Sequence, residues 1–194
     1  MLVTKPYVRE NAVAYARKFA FSQNSQFANF AGIGGNCTNF VSQCVYAGSC
    51  KMNYTKTFGW YYISLDERSP SWSGVEYFYN FITEQPEFAA ENMGIGPFGR
   101  EVRAREIQEG DFIQLADSTG DFYHTLIITG FEPNDILICA HSDDALDRRL
   151  STYNFASLRL IHVDGVRIEV ADDTCFENLI DGVSIDVNPP PETM

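Results

Sequence analysis

The hydrophobic period of this chain changes once, near Val102, and that change limits the folds open to it. Before Val102 the readable segments show apolar residues every three to four positions, the spacing of helices with one buried side, with a loop over Ser22 to Gly35 and no clear period over much of Lys51 to Gly96. Tyr7 to Phe21 reads as a helix, with Val13, Ala14, Ala16, Ala20 and Phe21 apolar and no Gly or Pro inside. A second helix follows Asn36, where Phe40, Val41, Cys44 and Val45 stand three, four, seven and eight residues after Cys37 and share its side. Gly48 is the expected C-cap of that helix, and Ser73 to Thr83 reads as a shorter one. Beyond Val102 short runs alternate. Asp111 to Leu115, His124 to Phe131, Ile136 to His141 and Leu158 to Val163 read as strands, Glu132 to Asp135 as a turn, and Val166 to Val170 as an edge strand. Helices first and antiparallel strands second make an α+β fold, a helical half packed on a C-terminal antiparallel sheet. At 194 residues the chain suits one domain over 1–194, with a core of about 7–170 and an acidic tail from Ala171 that ends in Pro189-Pro190-Pro191.

Charge and composition exclude some partners. Lys and Arg total 14 against 26 Asp and Glu, a net charge of −12, which argues against nucleic acid or an anionic membrane as the main partner. No run approaches the ~18 apolar residues of a membrane helix. Leu2-Val3-Thr4-Lys5-Pro6 lacks the apolar core of a signal peptide. The compartment stays open between the cytoplasm and, if a leader has been removed, the outside of the cell. The five cysteines, Cys37, Cys44, Cys50, Cys139 and Cys175, match no zinc or redox spacing, and their odd number leaves at least one thiol free. No metal or cofactor is expected. Cys44 and Cys139 lie in apolar runs and read as core.

Cys37 is different. The glycine turn Gly34-Gly35 runs straight into the second helix, so Cys37 occupies its first turn. A thiol there faces unpaired backbone N–H groups and the positive end of the helix dipole, a setting that favours the thiolate. Far along the chain, Tyr123-His124-Thr125-Leu126 opens an apolar strand with a histidine. A cysteine at a helix start and a histidine on a distant strand are the nucleophile and base of thiol hydrolysis. If Glu132 to Asp135 is a four-residue turn, Phe131 pairs with Ile136, Leu126 faces His141, and His124 faces Asp143. Strand side chains alternate, so His141 or Asp143 is placed to orient the His124 ring. His162 has no comparable setting and reads as structural. Between Lys51 and Gly96, Trp60, Tyr61, Tyr62, Trp72, Tyr77, Phe78 and Tyr79 form either a small second core or the aromatic wall of a substrate groove.

The run Gly34-Gly35-Asn36-Cys37-Thr38-Asn39-Phe40-Val41-Ser42-Gln43 resembles the GGDCTNFVSQ signature of a bacterial amidase domain family, which belongs with papain-like cysteine hydrolases near the NlpC/P60 and CHAP cell-wall enzymes. The resemblance extends to Tyr7-Val8-Arg9-Glu10 in the opening helix, Ser71-Trp72-Ser73, Glu109-Gly110-Asp111, Tyr123-His124-Thr125 and Ala140-His141-Ser142-Asp143. It implies a papain-like fold with Cys37 as nucleophile and His124 as base. It implies His141 as third member, with Asp143 as the alternative, and an amide in a peptide or peptidoglycan as substrate. Trp60, Trp72, Asn36 and Asn39 are the expected substrate contacts. Two positions depart from the pattern. Asn36 stands where the family usually has Asp. Ala31 stands six residues before Cys37, where papain-like peptidases carry an oxyanion-binding Gln, so Gln26, Asn29 or the Cys37 N–H alone would serve. The competing readings are a catalytically silent binding module on the same scaffold, and a metal site of Cys37, His124 and His141.

Overall fold

The computed structural model describes residues 2–169 and 175–182. A short strand β1 (Val3–Lys5) leads into α1 (Arg9–Phe19) and then α2 (Cys37–Ser49). Three shorter helices follow: α3 (Pro70–Ser73), α4 (Val75–Ile82) and α5 (Pro86–Glu91). The strands are β2 (Gly96–Val102), β3 (Phe112–Ala116), β4 (Phe122–Glu132), β5 (Asp135–Ala140), β6 (Ala145–Arg149) and β7 (Ser157–Ile168). One further helix, α6, spans Cys175–Asp181. The strands form one sheet in the order β1-β7-β3-β4-β5-β6, with β2 also paired to β7, and every pairing is antiparallel. This is the expected α+β arrangement, helices packed on an antiparallel sheet. Most of the acidic tail expected from Ala171 lies outside the described residues.

The helix that begins at Cys37 is the centre of the molecule. Every residue of α2 from Cys37 to Gly48 is buried, so it is wrapped on all sides and not only along one stripe. Most of its buried polar side-chain atoms have partners, Gln43 Nε2 and Ser49 Oγ excepted. Ser42 Oγ accepts from Trp60 Nε1 at 3.0 Å, and Gln43 Oε1 accepts from the Tyr15 hydroxyl at 2.7 Å. Gly48 is not the C-cap. That role falls to Cys50, whose left-handed backbone (φ 49°) turns its N–H onto Tyr46 O. Gly48 lies inside the helix because the Tyr7 ring presses on it, and a Cβ there would lie 2.3 Å from Tyr7 Cε2. In α1, Ala12, Val13, Tyr15 and Ala16 turn inward and Ala14 is exposed, as is Phe21 just beyond the helix.

The sheet separates two apolar layers. Phe112, Ile127, Cys139 and Ile161 face the helices, while Ile113, Leu126, Ile138 and Ala140 pack on the opposite face. Leu158 to Val163 and Val166 to Val170, read as two strands, are one strand, β7, up to Ile168. It pairs with β3 near its start and with β1 near its end, while β2 runs along it. At the foot of this region Asp111 is fully buried, and its charge is compensated by Arg9 at 2.5 Å, His162 Nδ1 at 2.7 Å and the N–H groups of Gln108 and Val163. His162 is thus part of a buried ionic anchor between α1 and the sheet.

Candidate active site

The turn before Cys37 needs glycine. Gly34 and Gly35 have φ of +98° and +101°, a region side chains avoid. The chain then enters α2 through Asn36, and no side chain caps the helix. Cys37 opens into a cleft of about 340 Å³ lined by Gly34, Gly35, Tyr123, His124, Ser142, Asp143 and Tyr153. Nucleophile and base candidates therefore share one cavity. The residues that follow each of them are tied together, since Thr38 Oγ1 lies 2.9 Å from Thr125 Oγ1. That bond fixes the start of α2 against the start of β4.

Sγ of Cys37 lies 3.9 Å from Thr38 Oγ1 and is not hydrogen-bonded to the His124 ring. His124 is 7% exposed, and its Nε2 is buried with no hydrogen-bond partner. Burial pushes the pKa of His124 below its ordinary value; the Asp143 charge opposes that shift and Arg148 adds to it. The ring is accordingly neutral at pH 7, the state a base requires. Asp143 also forms an ion pair with Arg148 at 2.5 Å. Hydrogen bonds between catalytic groups are often open before substrate arrives.

His141 does something else. The turn pairs Phe131 with Ile136 as counted, but a bulge between Ile128 and Gly130 slips the register by one, pairing Ile128 with Ile138 and Ile127 with Cys139. Continued to the strand start, that register sets Thr125, and not Leu126, opposite His141. His141 therefore follows Cys139 onto the helix side, while His124 follows Leu126 onto the other. Both His141 nitrogens are occupied. Asn36 Oδ1 accepts from Phe30 N and Asn39 Nδ2, so the Asn36 Nδ2 faces His141 and donates to its Nδ1 at 2.9 Å. Nε2 then carries the proton and donates to Phe19 O at 2.8 Å. The ring stacks on Phe40 at 4.0 Å. His141 clamps the residue before Cys37 and does not reach His124. Ser142 adds to the clamp: its Oγ accepts from Asn36 N at 2.7 Å, with a left-handed backbone (φ 74°).

The other expected contacts lie elsewhere. Trp60 and Trp72 are wholly buried in the helical core, not on the cleft, and the Trp72 Nε1 donates to Asn39 Oδ1 at 2.8 Å. Asn36 and Asn39 are buried and committed to these internal bonds. Asn29 Oδ1 accepts from Ala31 N, and neither Asn29 nor Gln26 lines the cleft. Tyr153 lines it, and nothing in the sequence around it marks it out. Of the other cysteines, Cys44 and Cys139 are buried free thiols whose pKa values burial pushes up, and Cys50 is disulfide-bonded. Among the described residues no group of three or more His, Cys, Asp or Glu side chains could hold a metal ion, and no helix is long and apolar enough to cross a membrane.

A family model described as "Putative amidase domain" matches residues 6–163. A protein of Bacillus subtilis (strain 168), described as "Uncharacterized protein YhbB", is 29% identical over 177 residues, 88% of this chain and 52% of its own length. The chain thus spans about half the length of this curated relative. No solved structure matches it. With the family model covering the first helix, the glycine turn, the cysteine helix and the sheet through β7 as far as Val163, the chain belongs to the putative amidase domain family.

Proposed function

We propose that the protein is a cysteine hydrolase that cleaves an amide bond in a peptide or in the peptide part of peptidoglycan. The observation that carries this reading is the shared cleft, in which Cys37 at an uncapped helix start faces the same space as a buried, neutral His124. His124 takes the Cys37 proton as Sγ attacks the amide carbon. The C=O electron pair moves to oxygen, where N–H groups at the start of α2 hold it. The C–N bond then breaks, His124 gives its proton to the departing amine, and water cleaves the resulting thioester. Asp143 is the proposed third member, because it lines the cleft and its charge acts on His124. His141 is proposed as a positioning residue for the Cys37 turn.

Family membership supports an amidase, and the peptidoglycan assignment rests on the resemblance to cell-wall enzymes. The bonded Cys50 fits an oxidising compartment, where such a substrate lies. The test is alkylation with iodoacetamide near neutral pH, mapped by peptide mass spectrometry. Cys37 should label well ahead of Cys44 and Cys139, whose thiols are buried and pushed up. Equal, slow labelling of all three would favour a silent binding module.

A further inference from the structure

We infer that Tyr153 is a substrate-contacting residue whose hydroxyl donates to the carbonyl oxygen of the scissile amide, completing with the Cys37 N–H an oxyanion site that has no side-chain donor at Ala31. This rests on the hydrolase reading above. Tyr153 follows the 3-10 turn Leu150–Thr152 and reaches the cleft beside His124, the two rings tilted at a centroid distance of 5.9 Å. Its hydroxyl oxygen is buried and has no hydrogen-bond partner. Arg148 lies over the ring face, 4.0 Å from the centroid, with its N–H groups donating to Thr152 and Asp143, and its pull on the hydroxyl only partly offsets the effect of burial.

A buried polar atom without a partner costs about 1–3 kcal/mol, and native proteins hold few of them. This cleft holds two, Tyr153 Oη and His124 Nε2, on neighbouring rings. A bound amide supplies partners for both. Its oxygen accepts from the phenol, and its nitrogen, on leaving, takes the proton that His124 carries. As the Sγ–C bond forms, the C=O pair becomes an oxyanion. Tyr153 stabilises that charge by hydrogen bonding and keeps its own proton. Burial supports this role, because it pushes the phenol pKa up to about 12 and so holds it as a donor. Gln26 and Asn29 lie off the cleft and cannot substitute.

The test is Tyr153→Phe in the full chain. The change removes one oxygen that has no partner, so the melting temperature should not fall. Three readouts are compared with wild type: iodoacetamide labelling of Cys37, affinity for a peptide aldehyde such as acetyl-alanyl-glycinal, and turnover of purified peptidoglycan fragments. Labelling should be unchanged, since it needs the thiol and not an oxyanion donor. The aldehyde forms a tetrahedral hemithioacetal on Cys37, and its affinity should fall at least tenfold. kcat should fall on the order of 100-fold with KM little altered. Unchanged aldehyde affinity and kcat in Tyr153→Phe would overturn the assignment while leaving the hydrolase intact. A wild-type protein that neither binds the aldehyde through Cys37 nor turns over the fragments would overturn both.

Discussion

His141→Ala separates a clamp from a catalytic group. The substitution removes the acceptor of the buried Asn36 Nδ2 and the donor to Phe19 O, and it removes the stacked contact with Phe40. Each orphaned buried group costs about 1–3 kcal/mol, and an aromatic stack about 0.5–1.5 kcal/mol. Allowing for water reaching the Phe19 carbonyl, the loss is about 3–5 kcal/mol, a large part of a typical total stability. With a urea slope of about 2 kcal/mol per molar, the unfolding midpoint should drop by roughly 2 M. The buried Trp60 and Trp72 provide the fluorescence signal. His124→Phe is the control. It removes a nitrogen with no partner, so its midpoint should stay within a few tenths molar of wild type while hydrolysis is lost. A His141→Ala protein as stable as wild type, yet inactive, would refute the clamp and return His141 to the chemistry.

Three further outcomes follow from the same geometry. His124 titrates below its ordinary value of about 6.5, so kcat/KM should rise with pH along a limb below that value, and Asp143→Asn should move the limb lower and reduce the plateau, as a pH–rate profile would show. Because the folded value is depressed, the unfolded chain binds more protons in that window. Stability is complete above about pH 6.5 and falls as pH drops toward the folded value, and in urea titrations His124→Phe should lessen this dependence. Gly48→Ala forces a Cβ to 2.3 Å from the Tyr7 ring and should cost about 1–3 kcal/mol in urea unfolding, with Cys37 labelling retained. Arg9→Met leaves the buried Asp111 charge without its guanidinium and should cost about 3 kcal/mol by the same assay.

What the sequence made legible was what strong periodicity and turn chemistry encode. The helix after Asn36, the strand from His124 and the turn at Glu132 to Asp135 all stand close to where the pattern placed them. The bulge beyond Ile128 was not legible, because an extra strand residue leaves no local mark, yet it moves His141 to the other face of the sheet. Trp60 and Trp72 show a related difficulty. Aromatic residues line grooves and fill cores alike, and what decides here is that Ser42 and Asn39 wait inside α2 to receive their indole N–H groups. β1, β2 and β6 carry no clear strand signal because they are short, or interrupted by Gly and Pro, or charged, so none alternates cleanly. Asp164-Gly165 interrupts the apolar pattern, yet β7 continues through it as strand. Tyr153 carries no local signal, and its place beside His124 arises from tertiary folding alone.

The central claim is that Cys37 attacks an amide in concert with His124. Turnover of purified peptidoglycan fragments by wild type and Cys37→Ala, each shown to be folded by its urea midpoint, tests it most directly. The account predicts release of new amino groups by wild type and none by Cys37→Ala. Equal release by the two proteins would contradict it.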